Sequence, residues 1–522
     1  MKKIFLLIVL IIIAISVSAQ EKDFEISQGV LLKYNGIGKN IVIPNGVKEI
    51  GSGAFAQAET LISVTLPKNC FVIGDNAFVD CINLQKVVLN PQLKEIKDEA
   101  FFNCRSLERI TIPSSVEKIG DYVFNYNISL KEFFVEPDNK NYNSYEGVLF
   151  DHNNTKFISF PLGKEGAYTV PETITEIEEN TFKYASKLTE VTLSPSVKSI
   201  GSNAFESCVK LEKVNLNEGL EKIDAWAFFD CPSLTTITFP NSLKVIGDYC
   251  FASCKGLVNL NIPENVKSIG EYVTMDCVAL NNIFVSENNQ TYSSVEGVLF
   301  SKNGEKLVIY PTGRQSEFYS IPEACKEIKS GAFCSANNLK SVNFTENVEV
   351  MGDKCFAYMD NLSSIKLPKS LSDMGDATFI GCEYLTDVEL ADTMLIIPPY
   401  TFSGCLSLDN VDLKNVKIID PNGFLSCASL KNINFSNVEL ISESAFGACE
   451  NLVIASFPET LVGIGDFAFN SCFELKDVYI PKSVKKFGKN IFLGTEDLTV
   501  TTFKASPAEK YCKENKIKVN IK

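Results

Sequence analysis

The chain has 522 residues, a formal net charge of −15 and a pI near 4.9. Such acidity argues against nucleic acid as a partner, because phosphate binding needs a basic surface, and it also disfavours an anionic membrane surface. Apolar residues make up 45 % of the sequence, as in ordinary folded proteins, which excludes a disordered chain.

Residues 1–19 predict a secretory signal peptide. Lys2 and Lys3 precede an apolar run from Ile4 to Val17, and Val17-Ser18-Ala19 is a small-residue cleavage site. A membrane anchor is the alternative, but the run is short for spanning a bilayer. We therefore expect an exported protein, extracellular or at the cell surface, whose mature chain starts near Gln20 and has no integral membrane span.

A repeat organises the rest of the chain. The stretch LKVIGDYCFASCKGLVNLNIP, residues 243–263, has a near copy in LKEIKDEAFFNCRSLERITIP, residues 93–113. Thr274 replaces the phenylalanine of one copy, and the spacing is mostly 23 residues with two steps of 22. The recurring phenylalanines are Phe55, Phe78, Phe101, Phe124, Phe182, Phe205, Phe228, Phe251, Phe333, Phe356, Phe379, Phe402, Phe424, Phe446, Phe469 and Phe492. A fixed period in the twenties predicts a leucine-rich-repeat solenoid, which we expect to be continuous.

Each repeat predicts short parallel strands joined by short helical turns. Leu260 and Ile262 alternate with polar residues, as in a half-buried strand, and Pro263 ends that strand. A second short extended segment follows at Val266–Gly270. The stretch around each repeating phenylalanine is too short for a stable isolated helix, so we expect one or two helical turns held by packing.

Two longer units and two ends interrupt the period. Units near 136–177 and 286–328 each contain a Gly-Val-Leu-Phe segment and predict hairpin insertions. Residues 20–50 predict an N-terminal hairpin cap, residues 51–504 hold the repeats, and residues 505–522 predict a C-terminal cap.

Cysteine follows the same period. Of the 17 cysteines, eleven stand three residues after the anchor position: Cys81, Cys104, Cys208, Cys231, Cys254, Cys277, Cys382, Cys405, Cys427, Cys449 and Cys472. Equivalent positions on stacked turns point the same way, so their Cβ atoms do not converge as a disulfide requires. We interpret them as buried thiols that fill a small internal slot, and we expect no metal site. The other six have no predicted pairing.

The residues between the buried positions of each strand form a column on the exposed face. Candidate binding residues in and beside this column are Phe134, Phe284, Lys366, Asp387, Glu389, Asp412 and Tyr479. Phe134 and Phe284 precede the two hairpin units, so either the hairpins pack over them or they are aromatic anchors for a partner. The acidic residues near Lys366 are either an ordinary solvated face or a stripe that attracts a basic protein segment.

Catalysis is not expected. His152 is the only histidine and lies in a polar turn, so a multi-histidine metal site is excluded. No phosphate-binding loop opens a helix, and we expect no cofactor.

The IGxxAFxxCxxLxxVxLPxxV pattern resembles the BspA-type leucine-rich repeat over nearly all of the mature chain. The resemblance implies a parallel-strand solenoid at a cell surface or secreted, and a role in adhesion to host extracellular matrix, host cells or other microbes. The leading hypothesis is therefore a protein–protein interaction scaffold that acts as an adhesin. The alternative is a structural surface protein without a specific ligand. A glycan-binding protein ranks last, because Trp226 is the only tryptophan and lies inside a repeat.

Overall fold

The computed structural model describes residues 22–454 and 456–522. The predicted signal peptide at residues 1–19 lies outside the described residues. The described residues divide into two compact units, unit 1, which ends at Ser242, and unit 2 (residues 243–522). Each unit is a stack of turns that repeat about every 23 residues, which confirms the predicted parallel-strand solenoid.

Most turns contain two short strands, here called the A-strand and the B-strand. The A-strands of unit 1 are Asn40–Val42, Ser63–Thr65, Lys86–Val88, Arg109–Ile112, Glu132–Val135, Gly166–Thr169, Leu188–Thr192 and Lys213–Asn215. Those of unit 2 are Asn259–Ile262, Asn282–Val285, Phe318–Ser320, Ser341–Asn343, Ser364–Lys366, Asp387–Glu389, Asn410–Val411, Asn432–Ile433, Asp477–Tyr479, Thr499–Thr502 and Lys518–Ile521. Parallel pairing places equivalent residues of successive turns side by side, as for Thr65 and Val88.

The B-strands form a second parallel ladder of two-residue strands. In unit 1 they are Glu49–Ile50, Val72–Ile73, Glu95–Ile96, Lys118–Ile119, Glu176–Ile177, Ser199–Ile200 and Lys222–Ile223. In unit 2 they are Val245–Ile246, Ser268–Ile269, Glu327–Ile328, Val350–Met351, Asp373–Met374, Ile396–Ile397, Ile418–Ile419, Leu440–Ile441, Gly463–Ile464 and Lys486–Phe487. The second residue of each pair mostly points into the core, and the first faces outward.

The prediction of helical turns around the repeating phenylalanines is wrong. Asn76 and Asp80, which flank Phe78, have φ values of +56° and +59°, and most of the other turns repeat this left-handed pair. A left-handed residue on each side of Phe78 interrupts the right-handed path that an α-helix needs. The Phe78 N–H instead donates to Ala100 O of the next turn at 2.8 Å, so this segment forms a third ladder between turns.

The phenylalanine column fills the centre of each stack. Phe55 and Phe78 have ring centroids 4.8 Å apart, and Phe78 and Phe101 are 5.1 Å apart with nearly parallel planes. In unit 2 the spacing from Phe333 to Phe492 stays between 4.9 and 5.8 Å. Because each ring packs against the rings of the turns before and after it, the turns stabilise one another rather than folding singly.

The cysteines are buried, as the packing interpretation expects, and they also form hydrogen bonds. The Cys104 thiol donates to the carbonyl of Phe78 in the preceding turn at 3.1 Å, and Cys81 donates in the same way to Phe55. Where the column is broken by Asn127, its side-chain amide donates to Phe101 O at 3.1 Å and replaces the thiol. The column therefore satisfies a buried carbonyl in turn after turn.

The inserted units are three-stranded antiparallel meanders rather than simple hairpins. In unit 1 the strands are Tyr142–Tyr145, Val148–Asp151 and Phe157–Ser159, and in unit 2 they are Tyr292–Val295, Val298–Ser301 and Lys306–Ile309. Glu146 and Gly147 have φ values of +50° and +78°, as a two-residue hairpin turn requires. The hairpin Phe24–Ser27 and Val30–Tyr34 begins the described chain, and Tyr34 stacks on Phe55 at 5.1 Å.

The helix Pro507–Glu514 and the strand Lys518–Ile521 follow the last repeat. Ser506 caps the helix by accepting the Glu509 N–H at 3.1 Å. Tyr511 stacks on Phe487 at 5.2 Å, and its hydroxyl accepts the Ile491 N–H at 2.8 Å. The helix thereby covers the apolar end of the phenylalanine column.

Candidate protein-binding surface

The exposed residues of the A-strands lie in register, as the sequence predicts. Thr111 lies opposite Phe134 in unit 1, and Asn261 lies opposite Phe284 in unit 2. In these strands the residues before and after Phe134 and Phe284 point towards the core, so the two phenylalanine side chains face solvent. We call this surface the A-face.

Two of the predicted site residues are large aromatic side chains in the open. Phe134 is 55 % exposed and Phe284 is 49 % exposed, so the meanders do not cover them. The meander turns contact the strands at the backbone: the Phe133 N–H donates to Gly147 O, and the Ile283 N–H donates to Gly297 O, both at 2.8 Å. Each meander therefore lies along the edge of its strand and leaves the aromatic ring on the A-face free.

A third exposed aromatic residue, which the sequence analysis missed, lies on the A-face of unit 2. Phe318 is 61 % exposed at the start of the strand Phe318–Ser320, opposite Ser341. Val42 in unit 1 is similarly exposed, at 64 %. Both belong to segments assigned to a hairpin unit or a cap, although the alternation of exposed Phe318, buried Tyr319 and exposed Ser320 is a readable strand signal.

The charged candidates are gathered in unit 2. The Lys366 Nζ lies 2.7 and 2.8 Å from the two carboxylate oxygens of Glu389, which is opposite it on the next strand. Asp387 is exposed on that same strand, and Asp412 accepts the Lys414 N–H at 3.0 Å just beyond the following one. Lys366 therefore neutralises Glu389, and the predicted acidic stripe is weaker than the sequence indicates.

Tyr479 belongs to a different part of the A-face. Its hydroxyl donates to Glu459 at 3.1 Å, and the Lys522 ammonium lies 5.0 Å from the ring centroid. The hydroxyl pKa of Tyr479 is raised above its ordinary value, through burial first and then through Glu459. The structure places it apart from the Lys366 group, with several turns between them in the stack of unit 2.

Unit 1 also contains a tyrosine-lined cleft that sequence reasoning did not find. It has a volume of about 800 Å³ and lies between the turn around Phe124 and the meander. Tyr126 contacts Phe102 on one side and Tyr184 on the other, with centroids 4.9 and 5.2 Å apart. Burial and the nearby Glu206 carboxylate raise the pKa of Tyr184 to about 12, so its hydroxyl stays protonated at neutral pH.

The corresponding place in unit 2 is closed by one tyrosine. Tyr272 lies against Gly331, where a Cβ atom would approach its Cδ1 to 2.3 Å, and its hydroxyl donates to Asp353 O at 3.2 Å. In unit 1 the equivalent residues are Tyr122 and Asn180. Asn180 carries the side chain that Gly331 lacks, and Tyr122 is 55 % exposed at the cleft.

In the part of the chain that the structure describes, no group of three or more metal-ligating side chains occurs, and His152 is exposed in its turn. Burial raises the pKa of Cys81, Cys382 and Cys472 to about 12, so these thiols are protonated and unreactive at neutral pH. Among residues 22–454 and 456–522, no helix has both the length and the apolar character to cross a membrane.

Comparison with known proteins identifies the family. The model of the BspA type leucine rich repeat region, a unit of six copies, matches residues 32–156, 169–302, 313–428 and 417–514. The chain therefore belongs to the BspA-type leucine-rich repeat family, and repeats of this kind are generally non-enzymatic. No curated protein matches the chain.

Several solved structures are similar. A leucine-rich repeat protein from Eubacterium ventriosum is 27 % identical with a TM-score of 0.55, over 58 % of this chain and 82 % of that one. A leucine rich cell surface protein from Faecalibacterium prausnitzii is 20 % identical with a TM-score of 0.33, over 94 % of each chain. The pneumococcal vaccine antigen PcpA is 19 % identical with a TM-score of 0.38, over 95 % of each chain.

Proposed function

We propose that this protein is an exported, surface-exposed scaffold that binds other proteins through its A-face and acts as an adhesin. The observation that carries the proposal is the exposure of Phe134 and Phe284 beside the two meanders. Aromatic residues are enriched in protein interfaces, and a few such residues supply most of the binding free energy. Host extracellular-matrix or cell-surface proteins, or another microbe, are the partners that the family resemblance favours.

The two aromatic positions have a common setting. Each follows a buried residue on a four-residue strand, and each strand receives the turn of a meander at its edge. The meander makes the strand rigid without covering the ring, so little conformational freedom would be lost on binding. The neighbouring turns carry Thr111 and Asn261, whose small side chains leave room for a partner to approach.

Binding of purified extracellular-matrix proteins to residues 20–522 tests the proposal. Phe134→Ser and Phe284→Ser should each weaken binding of a retained partner by about tenfold, equivalent to about 1.4 kcal/mol. Thr111→Ser on the same face is the matched control and should leave binding unchanged. Circular dichroism should show the same fold for all variants, since neither ring belongs to the buried core.

Unchanged binding in the double phenylalanine variant would exclude the A-face aromatics as the site. Failure to retain any matrix or cell-surface protein would instead favour a structural surface protein without a specific ligand. Export is tested separately, by cell fractionation and by the N-terminal sequence of the mature chain, which should begin near Gln20.

A further inference from the structure

One stretch of the B-strand ladder in unit 2 exposes aliphatic side chains. Ile396, Ile418, Leu440 and Gly463 pair in register as the first residues of four successive B-strands. Ile396 is 44 % exposed, and Ile418 and Leu440 are half-buried. The preceding residue is also apolar at both ends of the stretch, where Leu395 is 51 % and Val462 is 47 % exposed. We call this surface the B-patch.

Elsewhere the same face carries ion pairs and only isolated aliphatic residues, such as Val72, Val245 and Val350. In unit 1, Lys94 pairs with Glu117 and Lys118 pairs with Glu95, at 2.5 and 2.9 Å. Earlier in unit 2, Lys326 pairs with Glu305 and Lys306 pairs with Glu327, at 2.7 and 2.5 Å. A continuous run of aliphatic first residues therefore occurs only from Ile396 to Leu440 and is not a property of the repeat.

Charges of opposite sign border the B-patch at its two ends. Asp373 is the exposed first residue of the B-strand before the patch, and Lys486 holds the same position in the B-strand after it. In the middle, Lys417 and Glu439 precede Ile418 and Leu440 and lie 3.0 Å apart. Along the stack the patch therefore begins with an acidic residue and ends with a basic one. Apolar residues lie between them, with one ion pair at the centre.

We propose that the B-patch binds a second copy of this chain, face to face, about a two-fold axis that runs parallel to the strands between Ile418 and Leu440. Such an axis reverses the order of the turns in the second copy. It sets Ile418 against Leu440, Leu395 against Val462, and Asp373 against Lys486, each pair occurring twice. Lys417 meets Glu439 of the other copy across the axis. A two-fold interface requires this kind of self-complementarity, because one surface must match itself.

The size of the patch predicts a weak, reversible dimer. Asp373 and Lys486 lie five turns apart, and the four steps from Ile396 to Lys486 are paired ladder steps, whereas the strands at Asp373 and Ile396 belong to separate sheets. At about 4.8 Å per turn the span is roughly 24 Å. With a width of about 10 Å for three residues, the footprint is on the order of 240 Å² per copy, well below the ~800 Å² per partner of stable complexes. Dimerisation is therefore expected at high local concentration, as at a crowded surface, and it leaves the A-face of each copy available.

Sedimentation velocity of residues 20–522 from micromolar to near-millimolar concentration tests the proposal. The wild-type chain should shift from monomer to dimer, and Ile396→Lys should weaken association by about tenfold because it places a charge in the apolar part. Val245→Lys is the matched control, since Val245 is the half-buried first residue of a B-strand in the same unit. It should leave association unchanged.

A charge exchange provides the sharper test. Asp373→Lys and Lys486→Asp should each weaken the dimer, and the double variant should restore it, because the exchange recreates both pairs across the axis. The proposal is overturned if the wild-type chain stays monomeric throughout, if Val245→Lys and Ile396→Lys have equal effects, or if the double variant dimerises no better than the single variants. None of these outcomes bears on partner binding by Phe134 and Phe284.

Discussion

The buried cysteines show how one residue type serves the repeat at the scale of single side chains. The thiol is small enough for the slot behind the phenylalanine ring, and it still donates a hydrogen bond to the phenylalanine carbonyl of the preceding turn. An alanine would fill less of the slot and would leave that carbonyl without its thiol donor, at a cost of about 1–3 kcal/mol. The periodic thiol therefore combines packing with hydrogen-bond satisfaction.

These thiols predict steep alkaline destabilisation. Cys81, Cys382 and Cys472 have a pKa of about 12 in the folded protein against an ordinary value near 9.0, so the folded state holds their protons more tightly. Their contribution to stability is complete below pH 9 and is lost as pH rises toward 12. Each thiol should lower the free energy of unfolding by about 1.4 kcal/mol per pH unit in that window. Urea unfolding under reducing conditions from pH 7 to 10.5 measures this slope.

The control for the alkaline prediction is the removal of one thiol. Cys382→Ala should be less stable than the wild-type chain at pH 7 but should lose stability more slowly with pH, by about 1.4 kcal/mol per pH unit. An unchanged slope would show that the buried thiols do not govern the alkaline limit.

At the scale of the element, the two meander units differ in the cleft that lies between the meander and the preceding turn: it is open in unit 1, and a tyrosine side chain closes the corresponding place in unit 2. Tyr272 lies on Gly331 in unit 2 and stacks on Tyr249 at 4.8 Å, whereas Tyr122 stands exposed at a cleft in unit 1. The left-handed conformation of Gly331, with φ of +67°, and the absence of a Cβ both serve this contact.

Gly331→Ala should destabilise unit 2 by more than backbone strain alone. The left-handed conformation costs alanine about 1–2 kcal/mol, and displacing Tyr272 should add about 1–3 kcal/mol. Gly404→Ala is the matched control, because Gly404 has φ of +77° but its nearest neighbouring atom lies 3.6 Å from the added Cβ. Urea midpoints of the two variants give the comparison.

Repeating the Gly331→Ala substitution in a Tyr272→Ala chain tests whether the contact with the tyrosine ring causes the extra loss of stability. In a Tyr272→Ala chain the obstructing ring is gone, so Gly331→Ala should cost no more than Gly404→Ala does. An equal cost of Gly331→Ala with and without Tyr272 would mean that the ring contact contributes nothing to stability.

The sequence predicts those features of the elements that follow from period and alternation. The 23-residue spacing of phenylalanine defines the stack, and the alternation around Phe134 and Phe284 correctly places both rings on the exposed face. The prediction of helical turns is wrong because Asn76 and Asp80 adopt left-handed backbone conformations. Glycine is the usual sequence sign of such a conformation, and no glycine stands at these two positions. The residue pattern of a single repeat does not predict these backbone torsion angles.

Most of the features that the sequence does not predict depend on contacts between side chains of different turns. The 23-residue period predicts the register that sets Lys366 opposite Glu389, but the ion pair between them depends on side-chain conformations that the period does not specify. The tyrosine-lined cleft depends on whether asparagine or glycine stands beside the meander, as at Asn180 and Gly331. Such differences change a surface without disturbing the repeat.

At the scale of the whole molecule, a stack of turns needs protected ends, because each end exposes unpaired backbone groups and one face of the aromatic column. In unit 2 the last A-strand of the repeats, Thr499–Thr502, pairs on one side with Asp477–Tyr479 and on the other with Lys518–Ile521. The helix Pro507–Glu514 adds Tyr511 over Phe487 and beside Phe492, with centroids 5.2 and 6.4 Å apart.

Ending the chain after Thr502 should therefore lower stability and promote association through the open edge. The truncation removes the strand that pairs with Thr499–Thr502 and uncovers Phe492, so the thermal midpoint should fall and light scattering should show aggregation at micromolar concentration. Tyr511→Phe is the matched variant: it keeps the stack on Phe487 but removes the hydroxyl that accepts the Ile491 N–H. This change should cost about 1–3 kcal/mol without aggregation. A truncated chain that stays monodisperse with an unchanged midpoint would show that the last turn needs no cover.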